Sequence, residues 1–579
     1  MDGKTDFEVM WTAGAGPGTA VRAGGGTVRT AADGPLQLMV VGECGATEEQ
    51  LQEALGAVAD GRWAELTAWS GSYWVIADRT GERLVCGDLA GLRAVFYTLT
   101  GDTVRWASRA RDLTDGSPDL PLLTARLVAT DHWPDRSPYP GVRAVPGGRA
   151  LLLTRGGLVR LVDVTAVPGR RSFAEGAPVF GQALTDAVAL RMRTGQGPVG
   201  ADLSGGLDSS TAVLLAAPRS EVQAVTYTDP YTSSEDTAFA IRIAEHVGIG
   251  HHIASGGPTQ LPFDFPDDAP AGDEPCLTAA NTAMDAAYLA PVAGLRCHLT
   301  GHGGDVALSI NSARFAGLLQ AGLRHQAHRK VVAWARAQNT APGPLWQQVK
   351  DASAGYPYAL TQAAAQIASG RLPAHGRVRA WSWLQLGTAA SWLTADGREA
   401  VAELLRQAAH QATDRPAVEF AQWDALHFTG SCIRAAAPLD AFHRVRPAHP
   451  FLDNEVVRAA FAVDPFNRPL AYKPLLAAAL PDLPPWLSGR QSKGNFTAWR
   501  LAGLARNLPR LRDLVRTSPL ATEGLLDAGS AIRSLEVLAR GEHSVGLAEL
   551  HTLLVTCRWL ASPPAPVPTA EHAEGVARC

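Results

Sequence analysis

The residues best suited to chemistry lie in VGADLSGGLDSSTAVLLAA, residues 199–217. The apolar run 199–203 predicts a buried strand, and the helix formers of 211–217 predict a helix, so SGGLDSS spans a strand-to-helix turn. Such a turn suits phosphate. Gly205 and Gly206 allow backbone conformations and close approaches that a side chain would block, and Ser204, Ser209 and Ser210 add hydroxyl donors beside the N–H groups at the helix's positive end. Asp208 alone would repel phosphate, whereas a Mg2+ ion bridging its carboxylate to a pyrophosphate reverses that sign. The stretch has neither the GK[ST] of a Walker loop nor a dinucleotide GxGxxG. By spacing alone it is also compatible with an ordinary Gly-Ser turn capping a helix.

A second turn repeats the pattern. In LTGHGGD, residues 299–305, an apolar start runs into glycines and ends on Asp305. One aspartate in a glycine-rich turn is commonly a turn residue. The elements that must position the two turns follow a strand–helix rhythm: a helix over 179–192, the strand at 199–203, a strand at 224–227 (AVTY), polar TDPYTSSED, and a helix over 237–246. That spacing implies parallel strands joined by right-handed crossovers, with ligands beyond the strands' carboxyl ends. Residues 306–430 read as mostly helical, broken by Pro342, Pro344, Pro357 and Pro373; Trp381, Trp383 and Trp392 could line a peptide groove or, more in keeping with aromatic usage, fill a core.

Upstream, residues 13–34 read as glycine-rich loop, followed by strands at 36–41, 72–77, 94–98 and 104–108, helices at 50–61 and 120–129, and a late hairpin in AVPGGRALLL and GGLVRLVDV. This is a layered sheet domain over 1–170, separated by a linker at 166–178 from an α/β domain over 171–560; residues 561–579, rich in Pro and Ala, read as a disordered tail. With 579 residues, 46% of them hydrophobic, the chain can bury a large core. A net charge of -4 and no Lys/Arg block argue against a nucleic-acid partner. The cysteines form no CxxC pair, no apolar stretch reaches membrane-spanning length and the N-terminus lacks a signal-like core, so a reduced, cytoplasmic location without membrane attachment is expected.

SGGLDSS resembles the pyrophosphate-binding loop of ATP pyrophosphatases, and LTGHGGD resembles the LSGxGxDE motif of asparagine synthetases. VRPAHPFLDNEVV (445–457) is similar to the VRVPFLD segment of that family, and GRQSKGNF follows at the family's distance. The resemblance covers about 36–500. It implies an N-terminal glutaminase-like (Ntn-type) domain and a C-terminal ATP-pyrophosphatase domain with a parallel sheet and a helical extension. It implies ATP as substrate, with Leu203, Ser204, Gly205, Gly206, Asp208, Ser209, Ser210, Val225, Thr226 and Gly301 around it, and Mg2+ on Asp208 and Asp305. Lys493 matches a catalytic lysine that would stabilise charge on the α-phosphate and the acyl oxygen. Lys473 matches a position that is commonly basic.

Working glutaminases of the family carry a cysteine directly after the initiator Met; here Asp2 stands there, and Cys44 and Cys86 read as structural, so no glutamine hydrolysis is expected. His302 replaces a glutamate of the asparagine synthetases. It could take a proton from an ammonium nucleophile or simply be hydrogen-bonded within its loop. In β-lactam synthetases that position is a tyrosine working with a glutamate whose place is taken here by Arg434, which argues against β-lactam closure. The remaining relatives with a cysteine-less first lobe and a chain of this size are lasso peptide cyclases. That resemblance implies adenylation of an Asp or Glu side chain of a precursor peptide and attack by the peptide's own N-terminal amine, with a leader-binding protein and a leader peptidase as partners. An ammonia-dependent asparagine synthetase, a β-lactam synthetase and a non-catalytic scaffold of a peptide-maturation complex stay open as alternatives.

Overall fold

The computed structural model describes residues 8–9, 11–12, 21–22, 27–101, 103–129, 132–154, 158–166, 168–193, 195–308, 312–371, 379–469, 471–490 and 494–562. Asp2, Pro373, Lys493 and the tail from 563 lie outside them. In the first part of the chain, alternating apolar residues pair into two antiparallel sheets, beside a two-stranded pair of Glu8–Val9 with Val21–Arg22, the second of which also falls inside the stretch expected to be loop. The larger runs Val159–Asp163, Arg149–Thr154, Glu82–Cys86, Gly71–Arg79, Leu36–Cys44, Val28–Asp33; the smaller runs Arg143–Ala144, Phe96–Thr100, Thr103–Ala107, Trp11–Thr12. Because side chains alternate across a strand, Leu38, Val40, Tyr73 and Val75 pack with Leu51 and Val58 of the helices Glu48–Glu53 and Leu55–Asp60. Their neighbours Val41, Trp74 and Ile76 meet Tyr97, Val104 and Trp106 of the second sheet. The order of layers is helix, sheet, sheet.

Val28–Asp33 falls inside the stretch expected to be loop. It is an edge strand with one buried residue, Ala31, so it carries no apolar alternation to betray it. The expected linker is corrected as well, because a helix already begins at Phe173. Glu175 N–H donates to Ser172 Oγ at 3.3 Å and Ser172 N–H donates to Glu175 Oε2 at 3.1 Å, a reciprocal cap that starts the helix before Pro178.

The second part is built on a five-stranded parallel sheet: β1 Val199–Asp202, β2 Val222–Thr228, β3 Gly250–Ser255, β4 His298–Leu299 and β5 Pro447–Ala448, in spatial order 3-2-1-4-5. Its helices are α1 Phe173–Arg193, α2 Leu207–Ala216, α3 Ser234–Val247, α4 Thr282–Leu289, α5 Gly304–Leu308, α6 Ala417–Phe442, α7 Asn454–Ala462 and α8 Pro474–Ala479. Phe180, Leu184 and Val188 of α1, Val213 of α2, Ile243 of α3 and Val456 of α7 share one core with Val199, Ala201 and Leu299 of the sheet. The strand order reverses between β1 and β4, and a crevice opens at such a reversal beyond the carboxyl ends. Both glycine-rich turns emerge there.

Between α5 and α6 the chain is helical, with Ala313–Gln320, Arg324–Ala337, Pro342–Ala352, Tyr356–Ser369 and Ala395–Gln411. Pro342 and Pro357 sit in the first turns of helices rather than breaking them, where a missing N–H costs nothing. Trp383 and Trp392 are 2% and 1% exposed. Trp383 belongs to an aromatic core with Trp381, Tyr356 and Phe420, so these residues are core rather than groove.

A buried polar seam joins the sheets. Asp453 caps α7, accepts from Arg191 Nη1 at 2.9 Å and from Ser70 Oγ at 3.0 Å, and Arg191 also pairs with Glu43 at 2.9 Å. Asn454 Oδ1 accepts the Leu89 N–H at 2.9 Å. No helix among the described residues is long and apolar enough to cross a membrane.

Candidate active site

Leu203, fully buried, ends β1 with its N–H on Val225 O at 2.9 Å. The turn that follows is clasped by its own hydroxyls. Ser204 and Ser209 Oγ atoms lie 2.9 Å apart, Ser204 N–H donates to Ser209 Oγ at 3.2 Å, and Gly206 N–H donates to Ser204 Oγ at 3.3 Å. Gly205 has φ 74°, and a Cβ there would collide with the carbonyl of Asp236. Gly206 caps α2, so the first amides of that helix face the loop. Of the three serines only Ser204 is exposed; Ser209 supports the clasp, and Ser210 is fully buried with no hydrogen-bond partner for its hydroxyl among the described residues. Ser210 therefore faces the core and not the open loop.

The second turn packs directly on the first. A Cβ at Gly301 would lie 2.6 Å from the Ser209 nitrogen, and one at Gly304 would collide with the Asp208 carboxylate. Glycine is needed at both positions to bring two backbones this close. Asp208, in the first turn of α2, and Asp305, in the first turn of α5, thereby converge on a single cation, the ammonium of Lys473, which touches Asp208 Oδ2 and lies 2.8 Å from Asp305 Oδ1. Burial opposes the charge on Lys473, but the two carboxylates prevail and hold its pKa above the usual lysine value.

That stand-in cation shows that the pair fits a Mg2+ ion. No cluster of three or more His, Cys, Asp or Glu side chains among the described residues is arranged to hold a metal. Two carboxylates suffice for Mg2+, which characteristically keeps waters and substrate phosphate oxygens as its other ligands.

Val225 and Thr226 are 0% and 3% exposed. Val225 packs with Leu289, Val292 and Val445, and Thr226 Oγ1 donates to Leu203 O at 2.5 Å and meets His251 Nε2 at 2.7 Å. The Val225 side chain is thus covered by the α4 region and offers no free face to a nucleotide base. His302 is exposed beside Asp305, with its N–H on Thr300 Oγ1 at 3.3 Å and its ring 5.8 Å from that of His449. Burial holds His449 well below the usual imidazole pKa.

Lys493 lies outside the described residues, but both of its flanks are anchored at the phosphate loop. Arg490, 5% exposed, donates to the Gly205 carbonyl and pairs with Asp236, and a Cβ at Gly494 would collide with that same Asp236 carboxylate. Arg490 and Asp236 are loop-bracing positions that sequence reasoning missed. Missed too is a buried network under the second turn. Asp202 Oδ1 accepts from Tyr288 Oη at 2.5 Å and meets His298 Nε2 at 2.7 Å. Burial alone would raise the Asp202 pKa, but His298, His302 and Tyr288 hold it below the usual carboxylate value. Nearby, burial first and the charges of Asp202 and Asp440 second push Asp285 up to about 8, and burial pushes Asp440 up to about 7.

Residues 180–561 match the family model described as asparagine synthase. The chain belongs to the asparagine synthase family. That family is one of ATP-dependent amide ligases. No curated protein matches the chain. Two solved structures are similar to parts of it. One is glutamine phosphoribosylpyrophosphate (PRPP) amidotransferase from B. subtilis complexed with ADP and GMP, 11% identical, covering 39% of this chain and 48% of that one at a TM-score of 0.16. The other is described as the allosteric regulatory enzyme of purine biosynthesis, 12% identical, covering 43% of this chain and 64% of that one at a TM-score of 0.16. The matches thus span less than two thirds of either relative.

Proposed function

We propose that this family member is an AMP-forming ligase that closes a macrolactam in a lasso precursor peptide. A side-chain carboxylate of the peptide attacks the α-phosphorus of ATP, pyrophosphate leaves, and the peptide's N-terminal amine displaces AMP from the acyl-adenylate. The observation that carries the activation step is the convergence of Asp208 and Asp305 on one cation at the mouth of the phosphate loop. A Mg2+ ion held there would neutralise the departing pyrophosphate. Ser204 and the first amides of α2 bind the phosphates, the Arg490–Asp236 pair holds the loop in shape, and Lys493 offsets charge at the α-phosphate and acyl oxygen. His302, exposed at the rim, would take a proton from the peptide's N-terminal ammonium and so free the amine to attack.

Two features weigh against glutamine-fed ammonia and against β-lactam closure. Burial pushes the thiols of Cys44 and Cys86, in the first lobe, up to about 11 and about 12, so neither is poised to release ammonia from glutamine. Arg434, at the place of the β-lactam synthetase glutamate, is held by Glu274 at 3.0 Å and by the Gly91 carbonyl at 2.7 Å, and a guanidinium, always protonated, cannot act as that base. A leader-binding protein and a leader peptidase are the partners this reaction requires, since the amine must be freed first. The test is incubation with ATP, Mg2+ and synthetic core peptides bearing an Asp or Glu several residues from a free N-terminus. Loss of one water from the peptide, with AMP formed, is expected. Amide formation with aspartate and ammonium, and none with peptides, would refute the assignment.

A further inference from the structure

Lys473 sits where the divalent ion of the preceding section would sit. Its side chain is 2% exposed, against 16% for Asp208 and 56% for Asp305. Its backbone is left-handed, with φ 46° and ψ 50°, immediately before Pro474 at the head of α8. A non-glycine residue held in that region is strained and persists only where its surroundings over-determine it. Here the over-determination is electrostatic. Gly304 has no side chain to keep Asp208 and the second turn apart, so without a counter-charge two carboxylates would face each other across a gap that a single ammonium spans.

We propose that Lys473 is a resident counter-cation that keeps the metal site closed until nucleotide arrives. This rests on Asp208 and Asp305 being the metal ligands. The two carboxylates and the ammonium carry one net negative charge, and a free divalent ion entering among them would have to dislodge the ammonium or stand beside it. A nucleotide changes that balance. Its phosphates supply the negative charge that draws the divalent ion onto the carboxylates and give the ammonium a new partner a few ångströms away. Metal and ATP therefore load together, and the site does not fill with metal alone. Lys473 is thus a positioning residue for metal entry.

The experiment is Mn2+ binding to the full chain, followed by the loss of free-Mn2+ electron paramagnetic resonance signal, with and without a non-hydrolysable ATP analogue, each reading taken as the excess over the same Mn2+ and analogue without protein. Wild type should bind Mn2+ weakly alone and well with the analogue. Lys473→Met should bind Mn2+ without nucleotide about tenfold more tightly or better, because a positive charge within ~4 Å of the ion has been removed. Lys473→Arg, which keeps the charge, should stay weak. Lys473→Gln serves the same purpose as the Met variant if the latter does not fold. Nucleotide-free Mn2+ affinity that is unchanged or weaker in the neutral variants, while the analogue still recruits Mn2+ to wild type, overturns the counter-cation role and leaves the metal site standing. No Mn2+ binding by wild type or the neutral variants even with the analogue overturns the metal site itself, and the counter-cation role with it.

Discussion

Cys44 and Cys86 in the first lobe, and Asp208 and Asp305 in the second, all lie at or just past the ends of strands, yet their surroundings treat them in opposite ways. The thiols are held neutral by burial. The carboxylates meet because glycines remove the side chains that would separate their loops, and a lysine supplies the opposite charge. One lobe has its potential nucleophiles silenced, while the other concentrates charge at an open crevice. The first lobe also makes buried polar contacts to the second. The Asp453–Arg191–Glu43 chain and Ser70 knit it to the helices behind the parallel sheet.

The contrast can be broken at graded cost. Gly304→Ala should be the most damaging change short of removing a ligand. Its methyl would push the Asp208 carboxylate aside, and displacements of that order cost about 10²-fold in turnover or more, read as ATP-dependent pyrophosphate release. Lys493→Ala should slow amide formation by about 10²-fold with little effect on nucleotide binding, measured by turnover beside equilibrium ATP binding. Asp453→Ala acts on the other side of the comparison. It removes one of the two carboxylates that pair with buried Arg191 and should lower folding stability by about 3–5 kcal/mol in denaturant unfolding, with turnover per folded molecule largely kept. The smallest effect belongs to Cys44→Ser, which should alter ligase turnover by less than about twofold. Neither it nor wild type should release glutamate from glutamine.

The two loops were legible because glycine, serine and aspartate at a strand end restrict what a backbone can do, and that restriction is local. The parallel sheet followed from the same short-range rhythm. Strand β3 was not legible. Its residues GHHIAS are mostly exposed at the sheet's edge, so no apolar period marks them. The pairing of Lys473 with Asp208 spans 265 residues, and that of Arg490 with Asp236 spans 254. No local pattern announces such pairs, and only the folded crevice creates them. The packing of the Val225 side chain is hidden for a related reason. A strand's apolar residue can face a ligand or a neighbouring helix, and α4, which decides the matter here, begins 57 residues later.

The most direct measurement is pyrophosphate release from ATP by Asp208→Asn and Asp305→Asn, each beside wild type with the same acceptor peptide. Release should fall to background in both variants, since each carboxylate is needed to hold the shared ion. Wild-type turnover in either would contradict the claim that the two turns serve one metal.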